Sequence, residues 1–166
     1  MRKIVIFIFM ITLLICILNK KNSVLIPNLA VRIRVIANSN DIKDQEIKNI
    51  IKNEVSSLLY SKLQNIDNYK AASKIIESTI PEVKNIINKY TNNYEINYGE
   101  NYFPEKEYKG VRYEKGDYKS LLIKLGEGKG NNFWCVLFPP LCMIDESKLN
   151  NVAYSLYVTE LLKKIK

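Results

Sequence analysis

Residues 126–142 read Gly-Glu-Gly-Lys-Gly-Asn-Asn-Phe-Trp-Cys-Val-Leu-Phe-Pro-Pro-Leu-Cys. A glycine-rich loop leads into the only tryptophan of the chain, and an apolar run follows that stops at two prolines. A short apolar run bounded by glycine and proline is typical of a buried strand. We therefore predict a strand over residues 134–138, preceded by a flexible connection whose glycines permit positive φ.

The glycine loop at residues 126–130 does not have the composition of a phosphate-binding loop. Its spacing differs from G-x-x-x-x-G-K-[ST], and no serine or threonine follows Lys129 to ligate magnesium. We interpret the loop as a connection between two strands.

Other strands are predicted on both sides of this stretch. Val31–Ile36 alternates apolar and basic residues, which is the period of a half-buried strand. Residues 94–98 and 118–125 also alternate, with Gly, Pro and Asn at the joins.

Helical spacing dominates the chain between the first two predicted strands. Apolar residues recur every three or four positions over residues 44–64, and Asp41 with Asp44 resembles an N-cap arrangement. A second helical stretch covers residues 72–80, where Pro81 either kinks the helix or opens a third one. Residues 148–166 predict a last helix. The order of elements indicates an α+β fold, an antiparallel sheet with helices packed on one face.

The first 21 residues have the character of an export segment. A short basic start precedes the apolar run of residues 4–18, which spans about 22 Å as a helix and falls short of the ~30 Å membrane core. This length suits a signal peptide, yet no A-x-A-like cleavage site follows. We predict a signal peptide or signal anchor over residues 1–21, a linker over 22–30 and a single domain over 31–166.

Composition argues against several function classes. The net charge is +8, but the chain has only four arginines and its lysines are dispersed, so we expect no nucleic-acid partner. The chain contains no histidine and three cysteines, which excludes Ser-His-Asp catalysis and the usual zinc ligand sets. No pair of carboxylates has a spacing suited to acid–base work. We expect no metal, no cofactor and no enzymatic activity.

Two cysteines, Cys135 and Cys142, bracket the apolar run. In an exported protein such a pair suggests a disulfide, which would add about 2.5 kcal/mol by closing a short loop. Two buried thiols are the alternative.

Three blocks of sequence resemble the stage II sporulation protein R family. The first block is residues 126–142. The other two are Arg34-Val35-Ile36-Ala37-Asn38-Ser39-Asn40-Asp41 followed by Asp44, Gln45 and Lys48, and Tyr102-Phe103-Pro104 followed by Tyr108 and Gly116-Asp117-Tyr118. Two positions depart from the family pattern. Phe133 replaces a usual tryptophan, and Asn131 replaces a common histidine.

The resemblance implies an exported signalling protein of endospore formation. Such a protein passes from the forespore into the space between the forespore and mother-cell membranes. There it activates a membrane-embedded aspartic protease, which processes a mother-cell sigma-factor precursor. The membrane is a second expected partner, contacted through residues 4–18. A carboxylate-dependent envelope hydrolase and a non-signalling envelope structural protein are the alternatives.

The family pattern does not identify the residues that contact the receptor. Aromatic anchors and exposed turns often dominate interfaces. We expect one of the rings at Phe133 and Trp134 to pack in the core and the other to be exposed at the sheet end, and Tyr102 and Phe103 to pack or to form a binding rim. Our candidate partner-binding residues are Asn38, Ser39, Asn40, Asp41, Phe133 and Trp134.

Overall fold

The computed structural model describes residues 10–11, 24–25, 30–108 and 111–141. Most of the predicted export segment, the predicted helix over residues 148–166 and Cys142 lie outside these ranges. Within them, neither helix combines the length and the apolar composition needed to cross a membrane.

The described residues form two helices and seven strands. The strands are β1 (Val24–Leu25), β2 (Val31–Ile36), β3 (Tyr94–Phe103), β4 (Lys106–Tyr108), β5 (Val111–Tyr113), β6 (Gly116–Leu125) and β7 (Asn132–Phe138). The helices are α1 (Ile42–Leu63) and α2 (Tyr69–Asn88), both between β2 and β3.

The main sheet has four strands in the order β3-β6-β2-β7. Its outer pairs, β3 with β6 and β2 with β7, are antiparallel, but the central pair of β2 and β6 is parallel. The α+β class is confirmed, whereas the prediction of an antiparallel sheet is wrong because the sheet is mixed. A parallel pair needs a long crossover connection, and the two helices together with β3 form part of the chain that joins β2 to β6.

A small second sheet has the order β1-β5-β4. Its first strand, Val24–Leu25, falls in the predicted linker and pairs in parallel with β5. The antiparallel partner of β5 is β4.

The helix α2 runs through Pro81 as one element, so a third helix does not begin there. Its start is capped by Asn68, whose side chain accepts hydrogen bonds from the backbone N–H groups of Lys70 and Ala71. Buried residues continue at helical spacing on both sides of the proline, from Ile76 to Val83. Packing of both halves on one core therefore keeps the helix continuous despite the lost backbone donor.

The hydrophobic core lies between the two helices and one face of the sheet. The central strand β2 contributes Val31, Ile33 and Val35, and β6 contributes Leu121 and Ile123. The residues buried in the same core from the helices are Ile51, Val55, Leu59, Leu63, Ala72, Ile76, Val83 and Ile87.

The opposite face of β2 is buried as well. Arg32 is only 2% exposed, and its guanidinium lies 3.4 Å from the ring centroid of Tyr118 and 5.0 Å from that of Phe103. The prediction of a half-buried strand is therefore wrong. A central strand has a neighbouring strand on each side, and here both faces of the sheet are covered by other side chains. A charged side chain can be buried in such a strand when its guanidinium packs on aromatic rings.

Candidate partner-binding site at the end of the sheet

The glycine loop crosses the end of β2, because β2 lies between the two strands that the loop joins. The backbone N–H groups of Lys129 and Gly130 donate to the carbonyl oxygens of Asn38 and Ala37, both at 2.9 Å. The prediction of a flexible connection is therefore wrong. We call residues 38–41 and 126–131 together the turn–loop unit.

Two asparagine side chains also hold the loop. The Oδ1 atom of Asn38 accepts a hydrogen bond from the N–H group of Glu127 at 2.9 Å, and the Oδ1 atom of Asn40 accepts one from Asn131 at 2.8 Å. These bonds join segments that are 89 and 91 residues apart in the chain. The asparagines of the turn thus satisfy backbone donors that a crossing loop would otherwise expose.

Close approach explains two of the loop glycines. A Cβ atom at Gly130 would lie 2.6 Å from the carbonyl carbon of Ser39 and 2.8 Å from the Cβ atom of Ala37. At Gly126, where φ is +53°, a Cβ atom would lie 2.7 Å from Cγ of Asn38. Both positions therefore require glycine, one for space alone and the other for space and backbone conformation.

Asp44 ties the turn to the first turn of α1. Its Oδ2 atom accepts hydrogen bonds from the side chains of Asn38 and Ser39, both at 2.7 Å. These bonds, that of Ser39 first, lower the pKa of Asp44 from its ordinary value of 3.8. Asp41 occupies the N-cap position, but its side chain makes no capping hydrogen bond. The expectation that Asp41 caps the helix through its side chain is therefore wrong, and Asp44 makes the link to the turn.

Two further residues of α1 extend this network. The Nε2 atom of Gln45 donates to the carbonyl oxygen of Ser39 at 2.8 Å, and the Nζ atom of Lys48 donates to Oε1 of Gln45 at 2.6 Å. Lys48 is 7% exposed, and burial, followed by the charge of Lys52, lowers its pKa. Neither residue was among the candidate site residues. Lys48 lies three positions after Gln45 and four after Asp44, and this helical spacing was the signal that could have found it.

Phe133 and Trp134 follow Asn132 at the start of β7, beside the loop, and face opposite sides of the sheet. Phe133 packs on the hydrophobic core, with the Nζ atom of Lys52 5.0 Å from its ring centroid. Trp134 packs edge-to-face on Phe103, with 4.9 Å between ring centroids, and the guanidinium of Arg34 lies 4.2 Å from its ring centroid. Both rings are half-buried. Each therefore presents only part of its surface at this end of the sheet.

The exposed aromatic residue of the predicted binding rim is Tyr102, which is 60% exposed, whereas Phe103 is buried. Tyr102 follows Asn101 near the end of β3 and pairs with Asp117. It lies at the opposite end of β3 from Tyr94, the residue that pairs with Leu125 just before the glycine loop. The structure therefore does not bring Tyr102 to the turn–loop unit.

A pocket of about 160 Å³ opens beside the turn–loop unit. It lies between the turn, the start of α1 and the connection from α2 to β3. Its lining residues are Asn38, Asp44, Ile47, Thr91, Asn93, Leu125 and Gly126.

The described part of the chain contains no cluster of three or more His, Cys, Asp or Glu side chains placed to hold a metal ion. Cys135 is 8% exposed in the middle of β7. Cys142 lies outside the described residues, so the bridge between them stays a prediction.

Comparison with known proteins shows the family. The sequence model of stage II sporulation protein R matches residues 27–148, a range that contains the whole turn–loop unit. The chain belongs to the stage II sporulation protein R family. It is 35% identical over 135 residues to stage II sporulation protein R of Bacillus subtilis (strain 168). The match covers 78% of this chain and 60% of that relative, and no solved structure matches.

Proposed function

We propose that this protein is an exported sporulation signal that activates a membrane-embedded aspartic protease, which then processes a mother-cell sigma-factor precursor. Membership of the family supports a role in sporulation. The observation that carries the binding role is the turn–loop unit, a fixed surface at one end of the sheet within the matched range. The identity of the protease, the sigma-factor precursor and the compartment are parts of the proposal.

The rigidity of the turn–loop unit favours recognition. The backbone N–H groups of Lys129 and Gly130 donate to the turn, and the side chains of Asn38 and Asn40 accept from the loop. These hydrogen bonds hold the unit in one arrangement before any partner arrives. A preorganised surface loses less conformational entropy on association than a mobile loop does. Phe133 and Trp134, whose rings are half-buried, lie at the start of β7 next to the turn–loop unit. Aromatic side chains are enriched among the residues that dominate binding.

The chemistry of the same residues favours binding over catalysis. The lowered pKa of Asp44 keeps its carboxylate ionised and makes it a weak general base near neutral pH. The Ser39 hydroxyl donates to this carboxylate, and the chain has no histidine to activate a serine. Asp44 thus acts as a hydrogen-bond acceptor that shapes the turn.

Export through residues 1–21 is part of the proposal. A fusion of residues 1–30 to a reporter that is active only outside the cytoplasm should be active. A reporter that remains inactive, while a fusion to an established signal peptide works, would contradict export. Fractionation of the same fusion shows whether residues 4–18 remain as a membrane anchor.

A disulfide between Cys135 and Cys142 also belongs to the proposal. Burial of Cys135 in β7 protects such a bridge from solvent reductants. Mass spectrometry of protein purified without reductant should show the two cysteines in one cross-linked peptide. Two alkylated free thiols would contradict the bridge without affecting the fold.

Co-expression with the protease and the sigma-factor precursor tests the proposed function directly. The wild-type chain should produce processed precursor. The exposed turn is altered in Asn40→Ala combined with Asp41→Ala, and this variant should reduce processing at matched amounts of folded protein. A matched control is Asn49→Ala with Asn53→Ala, because both asparagines are exposed on α1.

The same assay tests the alternative that the protein is a carboxylate-dependent hydrolase. Asp44→Asn preserves the shape of the side chain and removes its charge. Complete loss of processing in this variant, with the fold and protease binding intact, would replace the binding role by an enzymatic one. If the protease processed the precursor equally well without this protein, the proposed function would be contradicted altogether.

A further inference from the structure

We infer that the pocket beside Asp44 binds a lysine or arginine side chain of the partner protein. The inference rests on the proposed function, because it names the chemistry by which the partner is recognised. It makes Asp44 a contact for the partner in addition to its role in shaping the turn.

The size of the pocket fits one side chain. Its volume is about 160 Å³, whereas sites for small metabolites and drugs usually measure roughly 300–1,000 Å³. A single long side chain that enters from a protein surface fills such a space.

The charge of the pocket selects a cation. Asp44 is the one ionisable residue among the lining residues, and its lowered pKa keeps it negative. The groups that donate to it, Asn38 and Ser39, are neutral. Among the described residues no lysine or arginine forms an ion pair with it, and Lys43 contributes only a longer-range attraction.

The walls of the pocket match the stem of a basic side chain. Ile47 and Leu125 supply apolar surface, and Thr91 and Asn93 supply polar groups. Lysine and arginine bury their methylene stems along apolar surface while the charged head seeks a polar partner. The pocket offers these two environments side by side, with the carboxylate as the place for the head.

The pocket is formed without a ligand, because hydrogen bonds fix its rim. The N–H group of Gly126 donates to the carbonyl oxygen of Asn93 at 2.8 Å, and the N–H group of Asn93 donates to Oγ1 of Thr91 at 3.1 Å. Asn38 joins the same rim to Asp44. Binding therefore requires little rearrangement of the protein.

The direct test is a titration of the full-length chain with N-acetylarginine amide and N-acetyllysine amide, followed by amide chemical shifts. Shifts should move at Thr91, Asn93 and Gly126 and remain unchanged in the middle of β3. The uncharged isostere N-acetylcitrulline amide should bind at least tenfold more weakly. Equal binding of the citrulline probe, or shifts confined to other surfaces, would overturn the inference.

Two variants keep the test independent of folding. Asp44→Asn should weaken arginine binding at least tenfold. Asn93→Trp places a large ring at the exposed rim and should block the pocket while leaving the network around Asp44 intact. If Asp44→Asn disturbs the spectrum as a whole, the Asn93→Trp result decides. Unchanged binding in a folded Asn93→Trp variant would overturn the inference.

The processing assay separates this inference from the proposed function. Loss of processing in Asn93→Trp, with the fold intact, supports the partner's basic side chain as the occupant. Full processing in that variant would overturn the inference and leave the signalling role in place. Cation binding in the pocket, together with no processing of the precursor when the wild-type protein is co-expressed with the protease, would contradict the proposed function instead.

Discussion

The core beneath the helices and the turn–loop unit are stabilised in different ways. The core buries apolar side chains such as Ile51 and Val55, whose attraction is non-directional and proportional to the area removed from water. The turn–loop unit buries little apolar surface and depends on directed hydrogen bonds and on the close approach of two backbones. The core should therefore respond to lost volume, and the turn–loop unit to added atoms and lost acceptors.

The largest expected effect comes from the core. Ile51→Ala should lower the free energy of unfolding by about 2–5 kcal/mol, because it leaves a cavity beneath α1 where the side chain is fully buried. Urea denaturation measures the change. The control is Asn53→Ala on the exposed side of α1. Lys52 is less suitable as a control because its Nζ atom lies over the ring of Phe133. Equal effects of Ile51→Ala and Asn53→Ala would show that the buried side of α1 is wrongly assigned.

The second-largest loss of stability is expected from adding one carbon atom to the glycine loop. Gly130→Ala should destabilise the protein by about 1–3 kcal/mol, because the new methyl group meets the backbone at Ser39 and one segment must move. Faster hydrogen exchange at the amides of Lys129 and Gly130 would locate the damage. The matched control is Gly99→Ala, where the added carbon meets only the side chain of Asn97 at 3.3 Å. An unchanged free energy of unfolding in Gly130→Ala would mean that the loop does not approach the turn closely at this position.

Removing an acceptor from the turn should have a smaller effect. Asn38→Ala removes the acceptor for the N–H group of Glu127 and one donor to Asp44. Each hydrogen bond of this kind contributes roughly 0.5–1.5 kcal/mol. Hydrogen exchange at the amide of Glu127 should accelerate, whereas amides of α2 should change little. Unchanged exchange at Glu127 would contradict the link between turn and loop.

The smallest effect is expected from pH. Because hydrogen bonds lower the pKa of Asp44 in the folded protein, its contribution to stability is present above the ordinary value of 3.8. That contribution is lost as pH falls through the lower pKa of the folded state. Asp44→Asn should therefore reduce the loss of stability on acidification below about pH 4. Identical pH profiles of variant and wild-type protein would show that the hydrogen bonds to Asp44 contribute nothing to stability.

Local patterns predicted the separate elements well. The first long strand has the predicted bounds, Val31–Ile36, and the first helix begins at Ile42 rather than at residue 44. The pattern also indicated Ile51 and Val55 as core residues. It could not decide the effect of Pro81, because the packing of residues on both sides of the proline keeps α2 continuous.

The candidate site was predicted in part. The candidate residues Asn38 and Asn40 do lie next to the glycine loop, and Phe133 and Trp134 begin the strand that follows it. Glycine-rich composition predicts a flexible loop, whereas in the structure Gly126 and Gly130 permit close contact with the turn. Gln45 and Lys48 were missed as parts of the network, because their side chains could also have been solvated.

The sequence alone determined which segments are amphipathic, which side of the first helix faces the core and to which family the chain belongs. These properties depend on the order of neighbouring residues, which the sequence states directly. Only the tertiary structure decided that β2 and β6 run parallel, that Arg32 is buried and that the glycine loop lies on the Asn38 turn. Alternation along a strand is the same in both directions, and the contact between turn and loop joins residues about 90 positions apart. Such contacts depend on strand order, which arises only when all elements pack together.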